Sequence, residues 1–392
     1  MTIIKKWLNK IDWSNTSFLA VAHLFALGGA WFLFSFDLIR WQTILLTLFM
    51  VIATGLAITV GYHRLFSHKT FQANSLVKLL LLLFGAAAFQ NSARRWSSDH
   101  RRHHKYVDTD RDPYNIKRGF LFAHMGWILL KYDRAHSYDD VPDLLSDSLV
   151  RFQEKYYLSL AIAVGFLFPT LVASIWGDPL GGFFMAGWIR LVLNEHFTFS
   201  INSFAHIFGS QPYSDADTSR DNWLFAFFTY GEGYHNFHHK FPFDYRNGIK
   251  FYQWDPSKWL IKGLARLGWV SSLRQAPKEI ILQARLKMDE KRMVQRLEHV
   301  VVPGTQISRE LVFSARLKFE QAYVRFQTIK KEYAILRKEK MEVFQTQLHL
   351  FNEKMETMKM ELLAARQTLE EAMATWVELC SGLGVPPTKA SV

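Results

Sequence analysis

Cysteine is nearly absent: Cys380 is the single one in 392 residues. One thiol cannot form a disulfide framework within a chain, and it cannot build a thiolate metal site. Any metal must therefore be held by nitrogen and oxygen. The sequence also lacks a helix-turn-helix, a zinc finger or a similar nucleic-acid module. The net charge of +12 accordingly points to an anionic membrane surface, with no nucleic-acid partner. No small-residue cleavage site closes the first apolar run, and Asp12 and Asn15 stand between Lys5, Lys6, Lys10 and that run. The segment reads as a retained first span, not a cleaved signal peptide.

Long apolar runs are missing from the last third but abundant before it. A helix crosses a bilayer in roughly 20 apolar residues. Four runs fit: about 18–36, 41–60, 157–176 and 180–200, with polar breaks at Asp37 to Arg40 and at Gly177-Asp178-Pro179. Thirty-three Phe and thirteen Trp suit lipid contact and interfacial anchoring. Leu76 to Phe89 is shorter and contains Lys78, which fits an interfacial or re-entrant helix. Residues 61–156 hold fifteen Lys or Arg, whereas the short turns on the other side hold Arg40 alone. By the charge rule, both termini and residues 61–156 and 201–276 face the cytosol. The fourth run is polar for a span, with Arg190, Glu195, His196, Asn202 and His206 along it and its extension. Such groups normally face an interior or a cavity, so this helix is expected to carry its polar face into the cytosolic cap.

Eight of the fifteen histidines fall in three clusters: His63 and His68 in HRLFSH, His100, His103 and His104 in HRRHH, and His235, His238 and His239 in HNFHH. Histidine is a common metal ligand. Spacings of i, i+3 and i+4 put three imidazoles on one face of a helix. His63 and His68, five apart, need a helix end or a shared cavity. His206 follows Asn202 by four residues, again on one face. Nine imidazoles exceed the four to six ligands of one ion and suit two. The chemistry then open includes O₂ activation and metal-assisted hydrolysis, and imidazole suits Zn, Cu, Fe and Ni alike. His23, His124, His136, His299 and His349 are isolated in sequence and read as structural or solvated; His196 reads as an outer residue of the centre at most.

Residues 277–392 change character. One helix is expected to run to about Val301, Pro303-Gly304 breaks it, and Ser308 caps a longer one. Apolar residues fall at alternating steps of four and three, Ala315, Phe319, Ala322, Phe326, Ile329, Tyr333 and Leu336, and after a one-residue phase slip continue at Met341, Phe344, Leu348 and onward to Trp376. This is a heptad pattern, expected to form a coiled coil or helical hairpin. Residues 308–378 are thus a candidate surface for oligomerisation or a partner protein. The expected organisation is a membrane domain over 1–276 and a helical extension over 277–392.

HRLFSH, HRRHHKYVDTDRDPYN and GEGYHNFHH, together with NSFAHIFG, resemble the motifs of the integral-membrane fatty acid desaturases, specifically the Δ9 acyl-CoA (stearoyl-CoA) type of the bacterial branch. The resemblance runs from about Asn15 to Trp259. It implies an all-α membrane protein with four transmembrane helices and a cytosolic helical cap holding a dinuclear iron site. The implied ligands are His63, His68, His100, His103, His104, His206, His235, His238 and His239, with Asn202 contributing through water. The implied reaction is O₂-dependent removal of two hydrogens from a saturated acyl chain, giving a cis double bond. Redox-inert zinc cannot supply an oxidant for an unactivated C–H bond.

Asn91, Trp96, Asp99 and Lys131 fall where family members contact the acyl donor, but Ser98 stands where the family has Arg. The donor can thus be acyl-CoA or another acyl carrier, and Arg94, Arg95, Arg101 and Arg102 offer compensating charge. No HPGG segment of a fused haem domain is present. The electron donor is therefore expected to be a separate protein of ferredoxin, rubredoxin or cytochrome b5 type. A related alkyl hydroxylase shares this ligand pattern. A metal transporter or sensor would instead place its ligands along a path within the spans.

Overall fold

The computed structural model describes residues 8–131, 138, 140–299, 307–339 and 348–388. Lys5, Lys6, His136, Val301, Pro303, Gly304, Met341 and Phe344 lie outside the described residues. Two compact units result: Met1–Gln211 with Ala216–Gln275, and Pro212–Asp215 with Ala276–Val392.

The first unit is built from helices. α1 (Trp13–Ser35) starts at Asp12, whose carboxylate accepts from the Asn15 N–H at 3.1 Å, a standard way to satisfy the free donors of a first turn. Its inward stripe is Ala22, Ala26, Gly29 and Leu33, whereas Leu24, Leu27, Trp31 and Phe34 are 68–79% exposed. A helix apolar on its outer face is suited to lipid. α2 (Trp41–Ser67) is longer than its apolar run implies, because its last eleven residues, Ala57–Ser67, continue as a π-helix. The hydroxyls of Thr47 and Thr54 donate to the carbonyls four residues back, so they add no unpaired group to the span. α3 (Ser75–Ala86), capped by Asn74, matches the interfacial segment. α4 (Ala93–Tyr106) is capped by Ser92 and carries HRRHH. α5 (Tyr157–Ser174) follows the cap.

Among the described residues, three helices, α1, α2 and α5, are long and apolar enough to cross a membrane. The expected fourth run, 180–200, is not among them. The chain there is helical through Pro179–Gly181, Gly182–Ile189 and α6 (Arg190–Ser203), but Arg190, Asn194, Glu195 and His196 reduce its apolar character. Arg190 does not turn toward the cap. It is fully buried, and its guanidinium donates to the carbonyls of Ala186 (3.1 Å), Ala87 (2.6 Å) and Gly165 (2.8 Å). It thereby ties α6 to the residues following α3 and to α5. Close packing also requires Gly55: a Cβ there would sit 2.2 Å from the ring of Tyr230, whose hydroxyl donates to Val51 and Asn194.

After α6 the cap continues with α7 (His235–Lys240) and α8 (Pro256–Arg266). The strands β1 (Gln72–Ala73) and β2 (Val270–Ser271) pair antiparallel, with Gln72 opposite Ser271.

The second unit comprises α9 (Lys278–His299), α10 (Arg309–Glu339) and α11 (Leu348–Gly382) around one core. The heptad residues Phe319, Ala322, Phe326 and Ile329 of α10 meet Leu369 and Trp376 of α11, and Leu286 and Met293 of α9 enter the same core. Three helices, not a two-helix seam, thus share the heptad faces. Ser308 caps α10 by accepting from the Leu311 N–H.

Candidate metal centre

Local helix geometry gathers the nine histidines into two groups. His63, His68, His100, His104 and His238 form one, and His103, His206, His235 and His239 the other; within each, one nitrogen per ring lies within 4.8 Å of all the rest. The π-helical end of α2 explains His63 and His68. The His68 N–H bonds the His63 carbonyl, an i→i+5 contact, and that wider turn brings residues five apart onto one face. α4 feeds both groups, since His100 and His104 enter the first and His103 the second. α7 does the same, with His238 in the first and His235 and His239 in the second.

The Nε2 atoms face each other. In the first group, His238 Nε2 is 3.0 Å from His63 and 2.9 Å from His104, and His68 is 2.8 Å from His100. In the second, His235 Nε2 is 3.1 Å from His206 and 3.0 Å from His239, which lies 3.3 Å from His103.

Several Nδ1 atoms are held from behind. Asp112 Oδ1 is 2.9 Å from His103 Nδ1, Thr218 Oγ1 is 2.8 Å from His206 Nδ1, and Asp217 Oδ2 is 3.6 Å from His239 Nδ1. Glu232 Oε2 lies 2.9 Å from His63 Nδ1 in ion-pair contact, and Tyr114 OH is 3.3 Å from His100 Nδ1. Such partners fix which nitrogen carries the proton.

Electrostatics favour the ligand form. Burial first, then neighbouring imidazoles, holds His68, His100, His104, His235, His238 and His239 well below the ordinary histidine range, and His206 is pushed down to about 3. These rings are therefore neutral near pH 7. Where a carboxylate holds the Nδ1 proton, as at His103, the Nε2 lone pair is left facing other nitrogens. Converging lone pairs without a thiolate fit divalent transition metals and are unfavourable without a cation.

Glu232 also anchors the centre to its frame. Buried Arg64 contacts Glu232 Oε1 and Asp255 Oδ1, each at 3.0 Å, and Asn247 donates to Glu232 Oε2 at 2.6 Å. Glu232 is buried, which raises a carboxyl's pKa, but His63 and Arg64 outweigh this and hold it below the usual range.

A cavity of about 370 Å³ opens on the centre at His63, His100, His103 and His235 and continues between apolar side chains such as Phe18, Ile58, Phe89 and Leu158. Asn202, Asn91, Trp96 and Asp99 all line it. Gln90 braces its wall, donating to Thr198 Oγ1 at 2.9 Å and accepting from Trp96 Nε1 at 3.3 Å. Lys131 lies elsewhere: it is exposed and its backbone N–H donates to the Lys10 carbonyl. Arg101 is tied to both Asp143 oxygens at 2.8 Å and to the carbonyls of Ser67 and Phe66, so it serves the frame; Arg102 does line the cavity.

Sequence reasoning missed Asp112, Glu232, Asp217, Tyr114 and Thr218 as orienting groups. Asp112 and Tyr114 lie in the DTDRDPYN extension of the second motif and Glu232 in GEGYHNFHH, so their motifs were visible while their partners were not. His23, His124 and His196 are not isolated. His23 Nε2 is 3.0 Å from His196 Nε2, His196 Nδ1 is 3.0 Å from His124 Nε2, and His124 Nδ1 is 2.9 Å from Ser203 Oγ. This string does not join either metal group.

The sequence model of the fatty acid desaturase family matches residues 39–270. A probable acyl-CoA desaturase of Schizosaccharomyces pombe is 40% identical over 290 residues, covering 74% of this chain and 60% of that protein. Acyl-CoA desaturase 1 of Saccharomyces cerevisiae is 38% identical over 296 residues, 74% of this chain and 57% of that protein. Stearoyl-CoA desaturase 5 of Bos taurus is 38% identical over 280 residues, 69% of this chain and 82% of that protein. The chain thus spans 57–60% of the length of the two yeast proteins.

Proposed function

The chain belongs to the fatty acid desaturase family, and from that premise we propose that it is a membrane oxidoreductase that introduces a cis double bond into a saturated fatty acyl chain, at the Δ9 position of an acyl-CoA. The observation that carries the reading is the convergence of nine imidazoles, in two groups, at one end of a largely apolar cavity. We infer four spans, with the polar helix ending in α6 as the fourth, and a cytosolic placement of both termini and the centre. Fifteen Lys or Arg in residues 61–156 against Arg40 in the opposite turns support this orientation.

His63, His68, His100, His104 and His238 would hold one iron and His103, His206, His235 and His239 the other, with Asn202 contributing through water. Iron bound there supplies, with O₂, an oxidant for an unactivated C–H bond. In overall balance, two hydrogens leave the acyl chain, O₂ takes these with two further protons and two electrons, and two waters form. The electrons come from a separate carrier protein of ferredoxin, rubredoxin or cytochrome b5 type.

The chain's own residues hold the geometry. Asp112 keeps a proton at His103 Nδ1 and Glu232 sits against His63 Nδ1, so the Nε2 atoms point inward. The apolar walls exclude water and hold the acyl tail, and positioning of this kind selects the carbon pair that reacts. Asn91, Trp96 and Asp99 line the cavity where the acyl donor would be recognised. Lys131 belongs to that set only if the donor extends beyond the cavity. Helices α9 to α11 would serve oligomerisation or docking of a partner.

Expression in a desaturase-deficient host with fatty-acid profiling tests the reading. A new monounsaturated acyl chain is expected from the wild type and none from His103→Ala. Identical profiles, or hydroxylated acids in place of alkenes, would overturn it.

A further inference from the structure

Glu195 is the one acidic side chain that the membrane-side part of α6 brings to the cavity wall. It is 3% exposed, and its Oε2 is buried without a hydrogen-bond partner. A buried carboxyl left unpartnered is costly and calls for an explanation. Arg190, on the same helix, offers none: its guanidinium is turned to the carbonyls of Ala186, Ala87 and Gly165 and gives Glu195 Oε2 no hydrogen bond. Nor does the neighbouring amide, because Asn194 is bonded to Val51, Thr54 and Tyr230.

Position adds the second half of the argument. Glu195, Thr198 and Asn202 stand at i, i+3 and i+7 of α6, on one face, and all three line the cavity. At 1.5 Å per residue, Glu195 lies about 10 Å along the helix from Asn202, away from the histidines. Apolar Phe18, Leu19, Phe89 and Leu158 line the same cavity, as does the phenol of Tyr157, and none of the cavity's polar groups reaches Glu195 Oε2 with a hydrogen bond. A plain hydrocarbon would leave the carboxyl unsatisfied. A chain carrying a hydroxyl or carbonyl at that depth would pair with it, and a site built to hydrogen-bond a substrate group discriminates strongly against the analogue that lacks it.

We propose that Glu195 is a specificity-determining residue that recognises an acyl chain bearing an oxygen function beyond the reacting carbons. This rests on the acyl reading of the same cavity.

The test uses the full-length metal-loaded protein in lipid nanodiscs. The probes are stearoyl-CoA and a set of hydroxystearoyl-CoA isomers whose hydroxyl is moved along the distal half of the chain, compared by competition binding. At least one isomer should bind wild type about tenfold more tightly than stearoyl-CoA. Glu195→Gln, which can still donate and accept, should keep most of that preference. Glu195→Leu should abolish it and strengthen stearoyl-CoA binding.

The inference is overturned if no isomer exceeds stearoyl-CoA on the wild type, or if Glu195→Leu retains the preference. It is also overturned if that variant merely widens the range of saturated chain lengths accepted, which would make Glu195 a chain stop. Should Glu195→Leu fail to fold, the wild-type comparison and Glu195→Gln still decide. Binding of stearoyl-CoA without any isomer preference removes this inference alone; binding of neither removes the acyl reading as well.

Discussion

His103 Nδ1 and Asp112 Oδ1 lie 2.9 Å apart, and both side chains are 2% exposed. The same carboxylate accepts from the backbone N–H groups of Tyr114 and Asp108, each at 3.2 Å. One buried acid therefore sets the tautomer of a candidate ligand and folds the turn that follows α4. Asp112→Asn keeps the shape but removes the charge. Partners of this kind typically contribute 10–100-fold in metal affinity, so a loss of about that size is expected. Metal content after dialysis against a graded chelator series measures it. Retention equal to wild type would show that Asp112 shapes the turn and nothing more.

The division into two groups makes a separate prediction about stoichiometry. His68→Ala removes a member of the first group and His239→Ala a member of the second. Each should lower the bound metal from two ions per chain toward one, and the double variant should bind neither firmly. Elemental analysis of purified protein reads this directly. If either single variant loses all of its metal, or none, the two groups do not act as separate sites.

Much of the centre could be read from the sequence because helical spacing is a strong local signal. HRRHH and HNFHH each project imidazoles on one face, and the structure places all nine expected histidines together. The spacing of HRLFSH was ambiguous for a physical reason: on an α-helix, residues five apart diverge, and only the π-helical end of α2 reunites His63 with His68. The carboxylates behind the rings were not legible, since Asp112, Asp217 and Glu232 reach their histidines across 9, 22 and 169 residues of chain. The string of His23, His124 and His196 was missed for the same reason. The fourth run was hard to weigh because Arg190 reads as a bare charge in a helix, whereas its three carbonyl partners lie far along the chain or within its own turn.

Acid should destabilise the metal-stripped protein, and the sign follows from the imidazoles outside the spans. Burial first, then His103, pushes His206 down to about 3 despite the opposing charge of Asp217, and His68, His100, His104, His235, His238 and His239 are lowered in the same direction. In the unfolded chain these groups titrate near 6.5. Below that pH the unfolded state takes up protons that the folded state refuses, so stability is present above about 6.5 and declines as pH falls toward the folded values. Thermal midpoints of chelator-treated protein should fall steadily from about pH 7.5 to about pH 5. A flat or rising profile would contradict the burial of neutral rings.

Arg190 should matter for stability in proportion to the three carbonyls it satisfies. Arg190→Met removes the donors and leaves buried acceptors in its place, each worth about 1–3 kcal/mol when unsatisfied. Arg190→Lys cannot reproduce the fork, because an ammonium lacks the planar spread of donors. Both variants should lower the thermal midpoint in detergent, Met at least as much as Lys. An unchanged midpoint in either would mean that these carbonyls find other partners.

Truncation after Ala276 tests whether the membrane unit stands alone. All nine histidines, their carboxylate partners and the core around Ile58, Tyr62, Phe66 and Leu82 belong to Met1–Gln211 and Ala216–Gln275. The core of α9 to α11 draws on its own residues, such as Leu286, Phe319, Leu369 and Trp376. Since that core is its own, removing residues 277–392 should take away no ligand of the centre. The shortened protein should therefore insert into membranes, bind the same metal per chain and yield the same acyl products as the full chain, while any self-association carried by residues 308–378 disappears. Sedimentation of both forms in detergent, with metal analysis on the same samples, separates these outcomes. Metal lost together with the tail would mean that the centre depends on helices that contribute no ligand to it.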